Sequence, residues 1–408
     1  MRLPLEGVRI IDLCWVVAGP LASRLLVDFG ADVIKVESRR RPDVARGNRV
    51  PLYGVLPGDA NANSNTGGYF QDVNAGKRSC TLNLATQGGQ ELLAQLVAKS
   101  DAVISNLAGD QLERWGLSNE RLLALNPALI VVKMPAMEGD GPRARWKAFG
   151  DHFAGASGMK SVSGAPGEEP LDFGHAYPDF APNPFHAAIM LMAALHRRTR
   201  TGEGAYIEVS QYESTIALTG TMLLEYAATG TAPHPRGNAD PDAVPHNIYR
   251  CAGDDSWCAI AVCNDSQWET LASLITSERL RDPALLHAEE RRRRSVEIDK
   301  EIEAWTVNWN RQELAEYLQQ RGIAAGPLQG VREMLEVDPT LSTSHFARLA
   351  HPVGRDFMVH RSPLRMLRRQ ATVALGPLLG ADTYDVLVDF LGLTPEEIAD
   401  RAAAGILD

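Results

Sequence analysis

Strands that alternate with helices through the first third of the chain predict an α/β fold, a parallel sheet covered on both faces in a doubly wound, Rossmann-like layout. Three observations carry this. Apolar runs of strand length recur at residues 8–13, 31–37, 79–84, 101–106 and 128–136. Helical patterns fall between them, at 20–30, 87–100 and 118–125. The chain has 408 residues, too many for one ordinary core, so a second domain is expected.

Each element follows from local chemistry. "VRIIDL" (8–13) reads as a buried strand, and "PLASRLLVDFG" (20–30) as a helix with Pro20 at its start and Gly30 as its stop. "ADVIKVE" (31–37) and the short "SCTLNL" (79–84) are strands, and "QGGQELLAQLVAKS" (87–100) is an amphipathic helix. "DAVISN" and "ALIVVKMPA" are strands on either side of the helix at 118–125. Composition then shifts. Residues 228–247 are rich in Pro, Gly and Asp, as expected of a linker or surface excursion. Two strand-like runs, "NIYRCAG" and "SWCAIAVC", follow with "GDD" turning between them, and helical patterns occupy 266–274 and 296–320. "EERRRR" (289–294) reads as a solvated helix face. The tail reads as a loop and two helices, and no internal repeat is visible.

Bulk properties exclude several functions. A net charge of −10 and a pI near 5.5 disfavour nucleic-acid binding. The N-terminus "MRLPLEGVRIIDL" lacks a signal-peptide pattern, and "AAIMLMAAL" is too short to span a bilayer, so a cytoplasmic protein without a membrane partner is expected. Five cysteines, an odd number without a CxxC, fit reduced thiols packed in strands better than a metal site. The turn after the first strand, "CWVVAGP", lacks GxGxxG, and no GxxxxGK[ST] occurs. A bound dinucleotide and nucleotide hydrolysis therefore both lose support.

One carboxylate stands out. In "FGHAYPDFAPNPF" (173–185), Asp179 lies between prolines just before the apolar stretch "HAAIMLMAAL", which reads as a buried helix. Asn183 and Pro184 would already supply a cap and a first-turn proline for that helix, so capping does not explain Asp179.

The whole chain, in order, resembles the class III coenzyme A transferases, the group of formyl-CoA, carnitine and benzylsuccinate CoA-transferases, whose fold the α-methylacyl-CoA racemases share. The resemblance rests on "PLEGVRIIDLCWVVAGPLASRLLVDFGADVIKVE", "NAGKRSCTLNL", "DAVISNLAGDQLERWGL", "LNPALIVVKMPAMEGDGP", "HRRTRTGEGAYIEVSQYE", "PHNIYRCAGDDSWCAIAV", "GIAAGPLQGVREML" and "PLLGADT". It implies that Asp179 is the catalytic nucleophile. A carboxylate attacks an acyl-CoA carbonyl to give a mixed anhydride, and the released thiolate converts this to an aspartyl-CoA thioester. The donor acid leaves, the acceptor acid attacks, and the steps reverse. A helix dipole would keep Asp179 ionised, and backbone N–H groups would stabilise the oxyanion. Coenzyme A enters as a thioester substrate, with no permanent cofactor and no metal.

The resemblance also places coenzyme A contacts at Trp15, Val16 and Ala18, at Asn74, Lys77 and Arg78, at Asn106, Leu107 and Arg114, and at Lys147, with Arg39 and Arg40 near the adenosine end. Trp15 and Ser38 depart from the histidine and arginine often found at those positions. The closing loop "GGGGQ" is absent, which disfavours formyl-oxalyl exchange, and "AYPD" leans towards the aryl-acid and benzylsuccinate branch. The implied architecture is a large domain over residues 1 to about 200, completed from about 330 to 408, with a linker and a smaller α+β domain over 201–329. Two such chains would form an interlocked homodimer. Two alternatives remain. A 2-methylacyl-CoA racemase would use Asp179 with a histidine, His152 in "FGDHFAGASG" being the candidate and His175 standing close by in sequence. A non-catalytic partner subunit is the other, although such a scaffold has no need of Asp179.

Overall fold

The computed structural model describes residues 2–47, 65–139, 141–172, 176–352, 356–366 and 370–407. Contacts divide the chain into two compact units. The larger comprises residues 1–160, 172–231 and 340–408, and the smaller residues 161–171 and 232–339. The larger unit thus runs past the boundary expected near residue 200.

The larger unit opens with β1 (Arg9–Asp12), α1 (Ala18–Val27) and β2 (Asp32–Glu37), then α2 (Gly68–Val73), β3 (Arg78–Thr81), α3 (Gln87–Ala98) and β4 (Ala102–Ser105). α4 (Gln111–Arg114), α5 (Asn119–Leu125), β5 (Ile130–Lys133), α6 (Gly150–Ala156), α7 (Tyr177–Phe180), α8 (Pro182–Thr201) and β6 (Ala205–Glu208) follow, then α9 (Gln211–Ile216) and α10 (Gly220–Thr229). The strands form one six-stranded sheet in the order β3-β2-β1-β4-β5-β6, every pair parallel.

Alternation along each strand sends neighbouring side chains to opposite faces. Ile10, Val33, Ile104 and Val132 pack with Ala22 and Leu26 of α1 and Leu191 of α8 on one face. Ile11, Ile34, Val103 and Val131 pack with Leu93, Leu96 and Leu122 on the other. Both faces are covered, which is why the strands read as continuous apolar runs. The glycines of "TGEG" (201–204) each have a local reason. Gly202 ends α8 at φ +73°. A Cβ on Gly204 would come within 2.1 Å of the Leu129 carbonyl oxygen, so only glycine lets the chain enter the sheet there. α8 is not the buried helix expected. It buries Ala187, Ala188 and Leu191 but exposes Phe185, Ile189, Met190 and Met192.

The smaller unit holds β7 (His246–Arg250), β8 (Trp257–Ala261), α11 (Asp265–Leu274), α12 (Ala288–Arg293), α13 (Ser295–Thr306), α14 (Arg311–Gln319) and β9 (Ala324–Pro327). Its strands make an antiparallel sheet in the order β7-β8-β9, packed with Trp268, Leu271, Ile298, Ile302 and Leu314. The basic run is not wholly solvated. Arg291 is 2% exposed; it donates to the carbonyls of Val244, Leu285 and Leu286 and pairs with Asp265. One buried guanidinium there gathers three loop carbonyls.

The chain then returns to the larger unit with α15 (Pro339–Ser344), which begins at the division between the two units, the antiparallel pair β10 (Phe346–Leu349) and β11 (Phe357–His360), α16 (Thr383–Val386) and α17 (Pro395–Ala403). Val386, Phe390 and Ile398 complete the second core face. The outer edge of β3 is occupied by this segment: Ser79 N–H donates to Asp382 and Thr81 N–H to Thr383 Oγ1. All five cysteines are free thiols; Cys14, Cys80, Cys251 and Cys258 are buried and Cys263 is exposed, so strand packing does not hold for all of them. Among the described residues no helix is long and apolar enough to cross a membrane.

Candidate active site

The strand order reverses between β1 and β4, and in open α/β sheets ligands bind in the crevice beyond the carboxyl ends of the strands at such a switch point. Two segments meet there, residues 13–17 after β1 and Asn106 after β4. Their main chain is held by side chains. Asp12 Oδ1 accepts from Cys14 N–H at 2.7 Å, and Lys35 Nζ donates to the Cys14 carbonyl at 2.6 Å. Asn106 accepts from Trp15 N–H and donates to the Trp15 carbonyl, both at 2.8 Å. Asp43 accepts from Val16 N–H at 3.1 Å. Val16 lies at φ +69°, a left-handed conformation that a β-branched residue rarely adopts.

Beneath this loop the charges are buried and paired. Lys35 and Asp43 lie 3.0 Å apart, with side chains 1% and 0% exposed. Burial alone would lower the Lys35 pKa, but Asp43, Asp12 and Glu37 outweigh it and raise it. Arg46 grips Glu37 with two hydrogen bonds, at 2.8 and 2.6 Å, and lies over the Phe70 ring. Asp12 Oδ2 accepts from Ser23 and from Lys77, each at 2.7 Å. Burial pushes Asp12 upward, yet Lys77 and Lys35 hold it below the ordinary carboxylate value. Burial also lowers Lys77, against the pull of Asp12, to about 8.

Lys77, expected to contact coenzyme A, is engaged inside the protein. Its three N–H donors go to Asp12, to the Pro20 carbonyl at 2.8 Å and to Asn74 Oδ1 at 2.8 Å, and its side chain is fully enclosed. Asn74, 0% exposed, belongs to the same cluster. Arg78 stands at the opposite, amino-terminal edge of the sheet, where it pairs with Asp32 and lies over Phe390. Both Lys77 and Arg78 are thus turned to protein carboxylates.

Asp179 lies in α7, a single turn. Helix α8 starts at Pro182 with no side-chain cap, so Asn183 sits inside the helix and does not cap it. Phe180 packs on the apolar cluster of Val17, Leu21, Tyr69 and Phe70, which Val16 also touches. The acidic turn is thereby brought beside the first loop. Asp179 is 6% exposed, and its Oδ2 accepts from Gly150 N–H at 3.1 Å. Burial raises its pKa to about 7; the Gly150 N–H and Asn183 lower it, and Asp151 adds repulsion. Burial thus acts against the ionisation expected from a helix dipole.

The remaining candidates are spread over the same edge. Trp15 is half-buried, with the Arg41 guanidinium 5.1 Å from its ring centre. Arg39 lies against Gly380 and Arg40 towards Gly405. Ala18 is buried as the first residue of α1, and Leu107 packs on the second core face. Arg114 pairs with Asp110 on an exposed turn, and Lys147 is exposed three positions before Gly150. His152 is exposed, its Nδ1 accepting from Phe149 N–H. His175 lies outside the described residues. Among the described residues no group of His, Cys, Asp or Glu is arranged to hold a metal.

Sequence reasoning missed Asp12, Lys35, Asp43 and Arg41. A signal existed for the first two: each is a charge inside an otherwise apolar strand, and buried charges need partners. Nothing local marked Asp43 or Arg41.

A family model described as CoA-transferase family III matches residues 5–383. A succinyl-CoA–D-citramalate CoA-transferase of Chloroflexus aurantiacus is 32% identical over 99% of this chain and 98% of its own. A succinyl-CoA–L-malate CoA-transferase alpha subunit of the same organism is 31% identical over 97% of this chain and 91% of its own. Among solved structures, a CaiB/BaiF family protein of Brucella suis superposes with a TM-score of 0.82 at 27% identity, covering 96% of this chain and all of the other.

Proposed function

The chain belongs to CoA-transferase family III, and from that premise we propose that it moves coenzyme A from an acyl-CoA to a carboxylic acid through an aspartyl-CoA thioester on Asp179. The observation that carries this reading is a buried carboxylate that meets a backbone N–H, faces no cation among the described residues, and has its pKa raised to about 7. Paired to a lysine or arginine it would be a poor nucleophile. Buried without a counter-charge among the described residues, its anion is reactive when it forms, and Gly150 N–H and Asn183 hold its oxygens.

Coenzyme A lies at the carboxyl edge of the sheet in this reading. The loop of Trp15, Val16 and Ala18 and the residues Asn106 and Leu107 line it, and the cations Arg39, Arg40, Arg114 and Lys147 would meet its phosphates. The relatives named above act on succinyl thioesters and hydroxy-dicarboxylic acids, so a dicarboxylic donor and acceptor are the first pair to try. The exposed apolar side chains of α8 and the whole of α10, which buries none of its residues, support assembly with a second copy.

The test supplies the purified protein with succinyl-CoA and a panel of carboxylic acids and follows new thioesters by chromatography. Hydroxylamine added during turnover should modify a peptide containing Asp179. Accumulation of free CoA alone, with every acid, rejects the transferase. Deuterium entering the α-position of a 2-methylacyl-CoA without an aspartyl adduct would favour the racemase. The alpha-subunit relative motivates a second reading, in which a related chain must be added before exchange occurs.

A further inference from the structure

We infer that Asp43, locked by Lys35, is a positioning residue that holds Val16 in its left-handed conformation and so shapes the loop that receives the acyl-CoA. The inference rests on the coenzyme A reading above and adds to it a residue that makes no contact with the ligand. The starting point is backbone strain. Valine at φ +69° is unfavourable by itself and persists only where surrounding structure over-determines it. Here the surroundings do so. Asp43 takes the Val16 N–H with both carboxylate oxygens, at 3.1 and 3.3 Å, and also accepts from Ala45 N–H. Lys35 fixes Asp43 from below and holds the Cys14 carbonyl. Asn106 fixes Trp15 from across the switch point.

The arrangement has a consequence for recognition. The N–H groups of Cys14, Trp15 and Val16 all point inward to Asp12, Asn106 and Asp43. A glycine-rich loop at this position would aim such groups at a phosphate. This loop offers the ligand its shape and the side chains of Trp15 and Val16, so its conformation is what a ligand reads. A conformation that strained must be held, and Asp43 holds the strained residue directly.

A rival explanation is that Asp43 only supports the fold, because it also caps the short turn of Val44–Arg46. Glycine separates the two, since it adopts φ > 0 without a Cβ penalty. The experiment titrates full-length protein with free CoA by calorimetry and records melting temperatures. Asp43→Ala should weaken CoA binding roughly tenfold or more, the scale of losing one strained backbone state. Adding Val16→Gly should bring the affinity back to within about threefold, while the melting temperature stays depressed because Lys35 is still stranded. The milder Asp43→Asn keeps the size of the side chain but loses the charge that Lys35 locks, should lower affinity in the same direction, and should be rescued by the same glycine, which covers the case of an unfolded Asp43→Ala variant. A loss that Val16→Gly does not restore in either background overturns the inference. So does unchanged affinity in both. Wild-type protein that does not bind CoA at all rejects the coenzyme A reading, and the inference with it.

Discussion

Asp12 and Asp179 are buried to nearly the same degree, 0% and 6% exposed, yet they are opposite kinds of carboxylate. Asp12 has Lys77 at 2.7 Å, with Ser23 and Cys14 N–H completing its shell, and stays ionised below the ordinary range. Asp179 has one backbone N–H and an amide, faces Asp151, and is raised to about 7. The difference teaches that burial alone does not mark a reactive group. A buried charge with its counter-charge is stably ionised, whereas one without it has its pKa raised at some cost to stability, which is what the proposed nucleophile requires.

The largest effect that could break this contrast is catalytic. Asp179→Ala should lower exchange by about 10⁴-fold or more, the scale seen when a covalent nucleophile is removed. An Asp12→Asn variant that stayed folded and lost as much turnover would erase the distinction. Next comes stability. Lys77→Met strands Asp12 and should cost about 3–5 kcal/mol in urea unfolding, with little change in CoA affinity of the protein that remains folded. If affinity fell and stability held, Lys77 would be a ligand contact after all.

The third effect is pH-dependent. The folded pKa of Asp179 lies above its unfolded value of 3.8, so its contribution to stability is complete below that value and is lost as pH rises through about 7. Asp179→Asn should therefore stabilise the protein by a margin that grows from pH 5 to pH 8, reaching about 2–4 kcal/mol. Over the same range kcat/KM of the wild type should rise, because the nucleophile is the anion. A pH-independent stability difference would place Asp179 among the paired carboxylates. The smallest effect concerns recognition. Lys147→Ala should raise the KM for acyl-CoA about tenfold at unchanged kcat, as expected for one charge-assisted contact.

The sheet was legible because parallel strands buried on both faces are written as short apolar runs, and each one named in the first third of the chain is a strand in the structure. The position of Asp179 was legible through its neighbours in sequence. Its environment was not, since the turn that carries it packs against α1 and α6 as well as the adjoining α8. Lys77 and Arg78 show the limit most sharply. They are adjacent, both basic, and precede or open one strand, but one turns inward to Asp12 and the other lies at the far edge of the sheet. Only the register of β3 decides between those fates, and register is a tertiary fact. The exposed side of α8 was misread for a related reason: an apolar run announces burial without saying whether its own chain or another supplies the cover.

The way the outer edge of β3 is finished bears on how the protein is made. Thr81 finds its partner Thr383 at a sequence separation of 302 residues. On the ribosome, β3 and the core face beneath it emerge long before residues 379–406 exist to cover them. For that interval the nascent chain carries an open parallel edge and bare leucines, the features that invite pairing with the wrong strand. Folding of the larger unit is thus completed from its C-terminal segment backwards, and a truncation that removes α16 and α17 should yield aggregate during synthesis even though the crevice and Asp179 are already encoded.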